Sequence, residues 1–338
     1  MSKSKPKLAV TMGDPSGVGP EIIAKAFHQD DVLQRCRPVI VGSERALQRA
    51  FEFTGVSFAY QTVTGPAEAN DGVCLFNDET GLGANLPLAE IDASCGDAAF
   101  RWLSQAITWA KAGAVDAIVT APLHKVAMNQ AGHHFAGHTE ILADQTDTEE
   151  FSLMLIAGGF RVVHVTCHVA MKEVSSMLTP KRIAMTVRLF NQALTRLDGK
   201  PPRIAVCAYN PHAGEEGLFG REEIDAIAPA VEQCKRDGAN VFGPYPSDSI
   251  FPQLIGGKFD GVVAMYHDQG HIPFKTTNFG FDPDKGEWKT VTGVNVTLGL
   301  PIIRTSVDHG TAFDLAGTGK ASERSLLDAI DVAIRLAE

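Results

Sequence analysis

Three histidines that each follow a short apolar run are the residues of this 338-residue chain best suited to chemistry. Short apolar runs bounded by turn residues predict buried strands. Imidazoles just beyond the carboxyl ends of such strands can meet in one crevice and bind a divalent metal, leaving positions open for a substrate. The runs and their histidines are 161–165 with His168, 203–208 with His212, and 261–265 with His267. Their spacing therefore predicts a catalytic metal site.

Turn residues beside these histidines support this interpretation. Pro211 and Gly214 flank His212, and residues of this type aim a side chain out of a turn. Any one histidine alone is better explained as a hydrogen-bonded, half-buried imidazole, so the hypothesis requires all three to meet. Other histidines compete as ligands, and His164 is the strongest rival because it shares a strand face with His168. The full set of competitors is His133, His134, His164, His271 and His309.

Two further groups of polar residues are candidates for substrate binding. His138 and Thr139, in a Gly-His-Thr-Glu loop, offer an imidazole and a hydroxyl to substrate oxygens, although Thr139 could instead cap the following helix. Lys275, Asn295 and Arg304 have the composition of a phosphate or carboxylate clamp, although such cations are more often solvated surface residues.

Two aspartates in predicted turns are candidates for proton transfer or for orienting a ligand. They are Asp248 and Asp308, and stabilisation of the turn is the commoner role for both. A glycine-rich loop from Gly13 to Glu21 follows a strand and begins a helix, where a nucleotide phosphate can dock. Its spacing is not G-x-G-x-x-G, and the next strand ends in Gly42 and Ser43 rather than in an acidic residue. We therefore favour a tight strand-to-helix turn over a dinucleotide site.

Composition excludes several partners. The formal net charge of −10 argues against nucleic acid or an anionic membrane as the main partner, since both select for clustered lysine and arginine. The basic N-terminus is followed by an apolar run of only three residues, so we expect neither a secretory signal nor a membrane span. Six scattered cysteines without a C-x-x-C pair indicate reduced thiols and predict a cytoplasmic protein.

Alternating strand and helix patterns predict an α/β fold with a mainly parallel sheet. Ser43 is the expected N-cap of a helix at 44–53, and Thr179 with Pro180 begins a helix that runs to about Leu197. Further helices are expected at 20–29, 222–237 and 323–337. We expect two lobes that exchange the chain, the first formed by 1–137 with 273–338 and the second by 138–272, which carries the metal ligands.

Several long motifs in a fixed order resemble one enzyme family almost from end to end. They lie at 11–21, 121–125, 137–140, 210–215, 266–270 and 293–310. Together they resemble the 4-hydroxythreonine-4-phosphate dehydrogenase family of vitamin B6 synthesis.

The resemblance implies a homodimer with a two-lobed isocitrate/isopropylmalate dehydrogenase-like fold, a central cleft and active sites shared between subunits through an interface on the second lobe. It implies one divalent metal, Zn, Mg, Mn or Co, on His168, His212 and His267, with one of the three reaching in from the partner. NAD or NADP is the implied oxidant. The implied substrate positions are His138, Thr139, Lys275, Asn295 and Arg304.

The implied reaction is oxidation of a phosphorylated 3-hydroxy acid followed by decarboxylation of the 3-keto acid. A metal would stabilise the developing alkoxide and enolate, while Lys275 and Arg304 hold the phosphate. Lys275, Asp248 and His138 are the candidate catalytic residues, and a metal-bound hydroxide is an alternative base.

Two departures from the family pattern bear on the substrate. The segment from Thr276 to Gly293 is longer than usual and borders the expected phosphate site. The segments 216–220, 265–273 and 312–314 look closer to a paralogous branch that is similar to enzymes acting on D-threonate and D-erythronate 4-phosphates. Either acid, or 4-hydroxythreonine 4-phosphate, is therefore an expected substrate.

Three alternatives remain at this point. A dehydrogenase of an unphosphorylated diol acid, of the cis-dihydrodiol dicarboxylate type, is disfavoured by the presence of His138, Thr139 and Arg304. A metal hydrolase is disfavoured because no H-E-x-x-H signature occurs. A non-catalytic sugar-phosphate-binding protein is disfavoured by the three intact histidines.

Overall fold

The chain folds into two compact units. The computed structural model describes residues 5–29, 31–284 and 287–338. The first unit comprises the chain up to Glu149 with Val291–Val294 and Leu300–Glu338, and the second comprises Glu150–Thr290 with Asn295–Gly299. Residues 138–149 thus belong to the first unit and 273–290 to the second, whereas the sequence-based division placed each stretch in the other lobe.

The first unit contains a parallel sheet. Its strands are β1 (Lys7–Thr11), β2 (Arg37–Gly42), β3 (Tyr60–Thr62), β4 (Val73–Asn77), β5 (Ala117–Thr120) and β14 (Arg304–Val307). They pair in the order β3-β4-β2-β1-β5-β14. The central strands β1, β2 and β5 are almost wholly buried, which explains their unbroken apolar runs.

The helices of the first unit include one that begins at its predicted cap, Ser43. Thr139, the other residue considered as a cap, lies instead inside a helix that begins at His138. The helices are α1 (Gly19–Phe27), α2 (Asp31–Arg35), α3 (Glu44–Thr54), α4 (Ala93–Lys111), α5 (Lys125–Gln130), α6 (His138–Gln145) and α12 (Arg324–Ala337), with a short 3-10 turn at Pro66–Glu68. Ser43 caps α3, because its side chain accepts a hydrogen bond from the Ala46 amide at 3.2 Å. Helix α6 contacts α4, which accounts for its place in the first unit.

The second unit contains a mixed sheet. Its strands are β6 (Ser152–Ala157), β7 (Phe160–His164), β8 (Ile204–Cys207), β9 (Val241–Tyr245), β10 (Gly261–Ala264) and β13 (Val294–Leu298), in the order β13-β6-β7-β10-β8-β9. Strands β6 and β7 are antiparallel, whereas β7, β10, β8 and β9 are parallel to one another. The three apolar runs that precede the histidines form strands, as predicted, and these strands are adjacent and parallel with β10 in the middle.

Helices of the second unit are α7 (Met171–Met177), α8 (Pro180–Asp198), α9 (Ala228–Arg236), α10 (Ser247–Ile255) and α11 (His267–Asn278). Thr179 caps α8 as predicted, accepting from the Arg182 amide at 3.2 Å. The single helix predicted at 222–237 is instead a π-helical turn, Glu223–Ile227, followed by α9. Pro229 lies in the first turn of α9 and has no amide hydrogen, which prevents one continuous hydrogen-bond ladder.

The segment from Thr276 to Gly293, which the sequence analysis singled out for its length, begins within α11. Helix α11 contacts β7 and β10, which places it in the second unit. Two short strands, β11 (Phe279–Asp282) and β12 (Glu287–Val291), follow and pair with each other. Lys285 and Gly286 lie outside the described residues.

Two global features bear on the predicted class of protein. All six cysteines are reduced thiols, and five of them are buried. Within the described ranges, no helix combines the length and the apolar character needed to cross a membrane. The α/β class expected from the alternating pattern is confirmed.

Candidate active site

Two of the three predicted metal ligands are neighbours in the second unit. The ring centroids of His168 and His267 are 5.9 Å apart. His168 follows β7 and His267 follows β10, and these strands pair directly, so the loops at their carboxyl ends emerge side by side. A divalent ion about 2.0–2.1 Å from one nitrogen of each ring can be held at this separation. The pair therefore fits a metal centre.

Asp268 orients the ring of His267. Its Oδ1 lies 2.7 Å from Nδ1 of His267, and both side chains are partly exposed. A carboxylate accepts hydrogen bonds, so it favours the tautomer with the proton on Nδ1 and leaves the lone pair of Nε2 for a metal. His267, the first residue of α11, is thus oriented to bind a metal ion through Nε2.

Gln269 ties together the chain around these strand ends. Its Oε1 accepts from the Met265 amide at 2.6 Å, at the end of β10. Its Nε2 donates at 2.8 Å to the carbonyl oxygen of Ala208, which follows β8, and to Oγ of Ser247 at the start of α10. This buried amide fixes the ends of two strands in relation to one another, a role that the sequence did not reveal.

His212 lies in a turn of left-handed backbone. The turn spans Pro211–Gly217, and the five residues 212–216 have φ angles between 42° and 77°. Four of the five are not glycine, and residues with a β-carbon cost roughly 1–2 kcal/mol each in this conformation. Strong anchoring contacts are therefore needed to maintain the turn.

Glu223 supplies that anchor. Only 4% of this residue is exposed. Its Oε1 accepts from the amides of Tyr209 and Asn210, each at 2.8 Å, and its Oε2 accepts from Nδ2 of Asn210 at 2.9 Å. Hydrogen bonds to a charged acceptor are stronger than neutral ones. The sequence analysis missed Glu223, because a glutamate at the start of a predicted helix gives no sign of a partner thirteen residues earlier.

The three predicted ligands do not form a complete set within one chain. Among the described residues, no three histidine, cysteine, aspartate or glutamate side chains are grouped so that they could hold a metal ion. His168 and His267 are brought together, whereas His212 does not join them in a group of three.

A pair of buried histidines lies behind His267. The ring of His271 is stacked on that of His267, with centroids 3.6 Å apart and planes 11° apart. Nδ1 of His271 lies 3.1 Å from Nε2 of His164. Burial lowers the pKa of His164 to about 4 and that of His271 to about 2, and the neighbouring histidines add to both shifts. The sequence analysis offered both residues only as rival ligands.

Helix α11 places Lys275 on the same side as these histidines. His267, His271 and Lys275 follow one another at intervals of four residues, which puts them on one face of the helix. The Lys275 ammonium lies 5.5 Å from the centroid of the Phe279 ring.

Two other predicted site residues lie elsewhere in this unit. Asn295 is half-buried on β13, and Asp248 is exposed in the first turn of α10.

The remaining predicted substrate residues lie in the first unit. His138 and Thr139 begin α6, and Arg304 begins β14, where only 3% of the residue is exposed. Nη2 of Arg304 donates to Oγ1 of Thr120 at 2.8 Å. Burial lowers the pKa of Arg304 to about 9, which still leaves it charged at neutral pH, and Glu140 opposes that shift.

His138 is held neutral by its surroundings. Burial lowers its pKa well below the usual value, and the positive charges of Arg304 and Lys125 act in the same direction. Lys125 was not among the predicted site residues. It lies beside the Gly137 backbone, because a β-carbon added at Gly137 would be 3.4 Å from its Cε. The first unit thus brings together two cations and a neutral imidazole, which suits an anionic ligand.

The glycine-rich loop after β1 is a tightly packed turn, as we favoured. A β-carbon at Gly13 would lie 2.1 Å from the carbonyl oxygen of Pro122, and one at Gly19 would lie equally close to that of Met12. The Asp14 amide donates to the Pro122 carbonyl at 2.8 Å.

The candidate Asp308 lies just after β14, where its side chain is half-buried.

Comparison with known proteins gives consistent matches over the whole chain. The family model described as "Pyridoxal phosphate biosynthetic protein PdxA" matches residues 34–333. A D-threonate 4-phosphate dehydrogenase of Cupriavidus necator is 44% identical over 340 residues, which cover 100% of this chain and 99% of the relative. A 4-hydroxythreonine-4-phosphate dehydrogenase of Trichlorobacter lovleyi is 42% identical over 344 residues, with coverage of 100% and 99%.

Solved structures show the same fold. The crystal structure of a 4-hydroxythreonine-4-phosphate dehydrogenase from Klebsiella pneumoniae superposes with a TM-score of 0.84 at 40% identity. The match covers 99% of this chain and 100% of that one.

Proposed function

This chain belongs to the PdxA family, and from that premise we propose that it oxidises a phosphorylated hydroxy acid with NAD or NADP and then decarboxylates the product. It is an oxidoreductase acting on a CH–OH group, as its named relatives are. The family implies a nicotinamide cofactor and a divalent metal.

The proposed substrates are D-threonate 4-phosphate, D-erythronate 4-phosphate and 4-hydroxythreonine 4-phosphate. Relatives named for threonate and for hydroxythreonine phosphates are similar to this chain to nearly the same degree, at 44% and 42% identity. All three acids carry a carboxylate, neighbouring oxygen functions and a terminal phosphate. One set of binding residues can therefore serve any of them.

The metal site that we propose is completed by a second copy of the chain. His168 and His267 of one chain supply two of its imidazoles, and His212 of the partner subunit supplies the third. Two observations support this arrangement. The described part of a single chain contains no group of three ligands. Apolar side chains close to His212 in sequence are also exposed, with Leu218 72%, Phe219 50% and Ile224 43% accessible, as is typical of a surface that another protein covers.

A divalent ion, Zn, Mg, Mn or Co, would polarise the substrate oxygen from which hydride leaves and would favour loss of carbon dioxide from the keto acid. The protein residues fix the substrate. Arg304 and Lys275 bind its anionic ends, and His138, Thr139 and Asn295 donate or accept hydrogen bonds with its oxygens. Burial of Arg304 strengthens its attraction for a phosphate, since little water screens the charge.

Three residues are candidates for proton transfer in the proposed reaction. Lys275 is our first candidate, because it shares a face of α11 with His267. His138 stays neutral at pH 7 and can hydrogen-bond a substrate hydroxyl as donor or acceptor. Asp248 is a weaker candidate, because it is exposed in the first turn of α10. We also propose a cytoplasmic location, since all six cysteines are reduced.

The neighbouring His168 and His267 rings are the observation on which the proposal chiefly rests, and turnover assays test it. Purified protein is incubated with each acid, NAD or NADP and one divalent metal, and both reduced nicotinamide and carbon dioxide are measured. We expect turnover of a phosphorylated acid, loss of activity after chelation, and recovery when metal is restored. His212→Ala should abolish turnover and leave the dimer folded, with His134→Ala as a control on an exposed histidine.

Two outcomes would contradict the proposal. Full activity in metal-free buffer would exclude the three histidines as essential ligands. Equal rates on phosphorylated acids and on their dephosphorylated analogues would exclude Lys275 and Arg304 as a phosphate clamp.

A further inference from the structure

A chain of contacts links the proposed ligand His267 to the main chain of β6 through two other histidines. Nδ1 of His164 lies 3.2 Å from the carbonyl oxygen of Leu153. Nε2 of His164 lies 3.1 Å from Nδ1 of His271, and the His271 ring is stacked on that of His267. His164 is fully buried and only 7% of His271 is exposed.

The hydrogen bonds define where the protons lie. A carbonyl oxygen can only accept, so Nδ1 of His164 carries the proton and its Nε2 has a lone pair. That lone pair accepts from Nδ1 of His271. The same N–H also faces the carbonyl oxygen of His267 at 3.1 Å, which again requires a proton at this nitrogen. One pair of tautomers thus satisfies all these contacts, and it fixes the plane of the His271 ring.

The backbone is shaped to admit this pair. His271 lies one helical turn beyond His267, so both rings project from one face of α11. Gly270 makes room for His164, because a β-carbon there would lie 2.3 Å from Nε2 of His164. The two rings pack where any larger residue at position 270 would collide.

The hydrogen bond to Asp268 constrains the His267 ring less firmly than the stacked His271 ring does. The Asp268 side chain is 64% exposed, so its hydrogen bond to Nδ1 competes with water. The stacked face of His271 is buried and cannot move without breaking its bonds to His164 and to the backbone. Of the two contacts on His267, the stacked ring is therefore the more rigid.

We propose that His271, held in place by His164, is a positioning residue that fixes the imidazole of His267 in the orientation needed for metal binding. This inference rests on the proposed function, since it takes His267 as a metal ligand. Neither His271 nor His164 contacts the metal in this scheme. They restrict rotation of the His267 ring in the metal-free protein, so the ring loses less conformational freedom when the metal binds.

Cobalt(II) binding to the purified dimer tests the proposal without turnover. The dissociation constant is measured by competition with a chelator, and the visible bands of cobalt report the geometry of its ligands. His271→Phe keeps a stacked ring of similar size but cannot donate a hydrogen bond. We expect it to weaken cobalt binding roughly 10–100-fold, the usual effect of losing a residue that orients a ligand, and to alter the bands.

A double-mutant cycle tests whether His164 acts through His271. His164→Leu should weaken binding less than His271→Phe does, and the double variant should bind no more weakly than His271→Phe alone. His133→Phe is the matched control. His133 is also stacked on an aromatic ring, Phe100 at 3.8 Å, and bonded to Asp97, but it lies in the first unit. It should leave cobalt affinity unchanged, and thermal midpoints verify that each variant is folded.

The outcomes separate this inference from the proposed function. If His267→Ala loses cobalt binding while folded His271→Phe binds within about twofold of the parent, the positioning role is wrong and the ligand assignment stands. Additive losses in the cycle would also overturn the link between His164 and His271. If His267→Ala binds cobalt as the parent does, both proposals fail.

Discussion

Asp14 is a buried carboxylic acid in the turn between β1 and α1. No part of the residue is exposed, and its Oδ1 accepts from the Ser16 amide at 2.9 Å. Within the described ranges, its Oδ2 has no hydrogen-bond partner. Burial raises the pKa of Asp14 to about 7, the Ser16 bond opposes the shift, and the charge of Asp92 adds to it. The neutral acid is therefore the form that suits this turn.

Asp14→Asn should remove a pH-dependent penalty. In the unfolded chain the pKa of Asp14 is near 3.8, and in the folded protein it is about 7. The stability that depends on the protonated form is complete below pH 3.8 and is lost as the pH rises through 7. Between pH 5 and pH 8 the parent should lose about 2–3 kcal/mol more than the variant. Urea unfolding of both proteins at the two pH values measures this difference.

Asp71→Asn serves as the control for that experiment, because Asp71 is exposed. Its pH dependence should match that of the parent. A parent and an Asp14→Asn variant with the same pH dependence would show that Asp14 is ionised in the folded protein at no cost.

At the level of single residues, the sequence identified those whose type alone carries chemistry. His168 and His267 were expected to meet, and their rings do lie side by side. Glu223, Gln269 and the stacked position of His271 were not foreseen. Their roles depend on partners that become neighbours only when strands from distant parts of the sequence pair, so local spacing gives no sign of them.

Helix α8 offers a direct test of a capping signal that was read from sequence. Thr179→Ala removes the hydroxyl oxygen that accepts from the Arg182 amide. We expect a loss of about 1 kcal/mol in the free energy of unfolding, with the helix otherwise retained. Thr195→Ala, in the body of the same helix, is the control and should be neutral or slightly stabilising. Equal losses for both changes would argue against a specific cap.

The left-handed turn around His212 depends on Glu223. Glu223→Gln keeps one oxygen that can accept from the amides of Tyr209 and Asn210, but its NH2 group cannot accept from Nδ2 of Asn210, and the carboxylate charge is lost. The turn should then open more often, because its strained backbone is held by fewer and weaker hydrogen bonds. Hydrogen exchange of the amides at 209–217 should accelerate, and cobalt affinity should fall at least about tenfold.

Glu232→Gln is the matched control for the turn, since Glu232 is exposed on α9 and bonded to the neighbouring Lys235. It should leave exchange at 209–217 unchanged. Unchanged exchange in Glu223→Gln as well would mean that other contacts maintain the turn.

The proposed sharing of metal ligands between subunits predicts recovery of activity by mixing two inactive variants. His168→Ala and His212→Ala dimers are mixed in equal amounts and allowed to exchange chains. Half of the dimers then contain one chain of each kind, and each of these has one intact site of two. About a quarter of the parent activity should return. His168→Ala mixed with His267→Ala should stay inactive, because both ligands come from the same chain.

No recovery in the first mixture, with chain exchange verified by mass spectrometry of tagged subunits, would exclude His212 as the residue supplied by the partner. Recovery in the second mixture would show that His168 and His267 of one site come from different chains.

For the molecule as a whole, the alternation of strands and helices was predictable, whereas the positions at which the chain passes from one unit to the other were not. Strands β8 and β10 are fully buried, and β7 is buried except at Arg161, so their sequences are mostly apolar and easy to identify. The junctions near 149 and 290 depend instead on where two helices pack, α6 against α4 and α11 against β7 and β10. Both helices carry polar site residues on one face, so their sequences do not specify the packing partner.

The left-handed turn at 212–216 limits which amino-acid substitutions its exposed positions can accept. Glu215 and Glu216 are exposed, and at most exposed positions nearly any residue is accepted. Here valine and isoleucine, whose branched β-carbons clash in this backbone, should disappear from a selected library, whereas asparagine and glycine should persist. Two surface codons would thus show the narrow substitution pattern usually found in a protein interior.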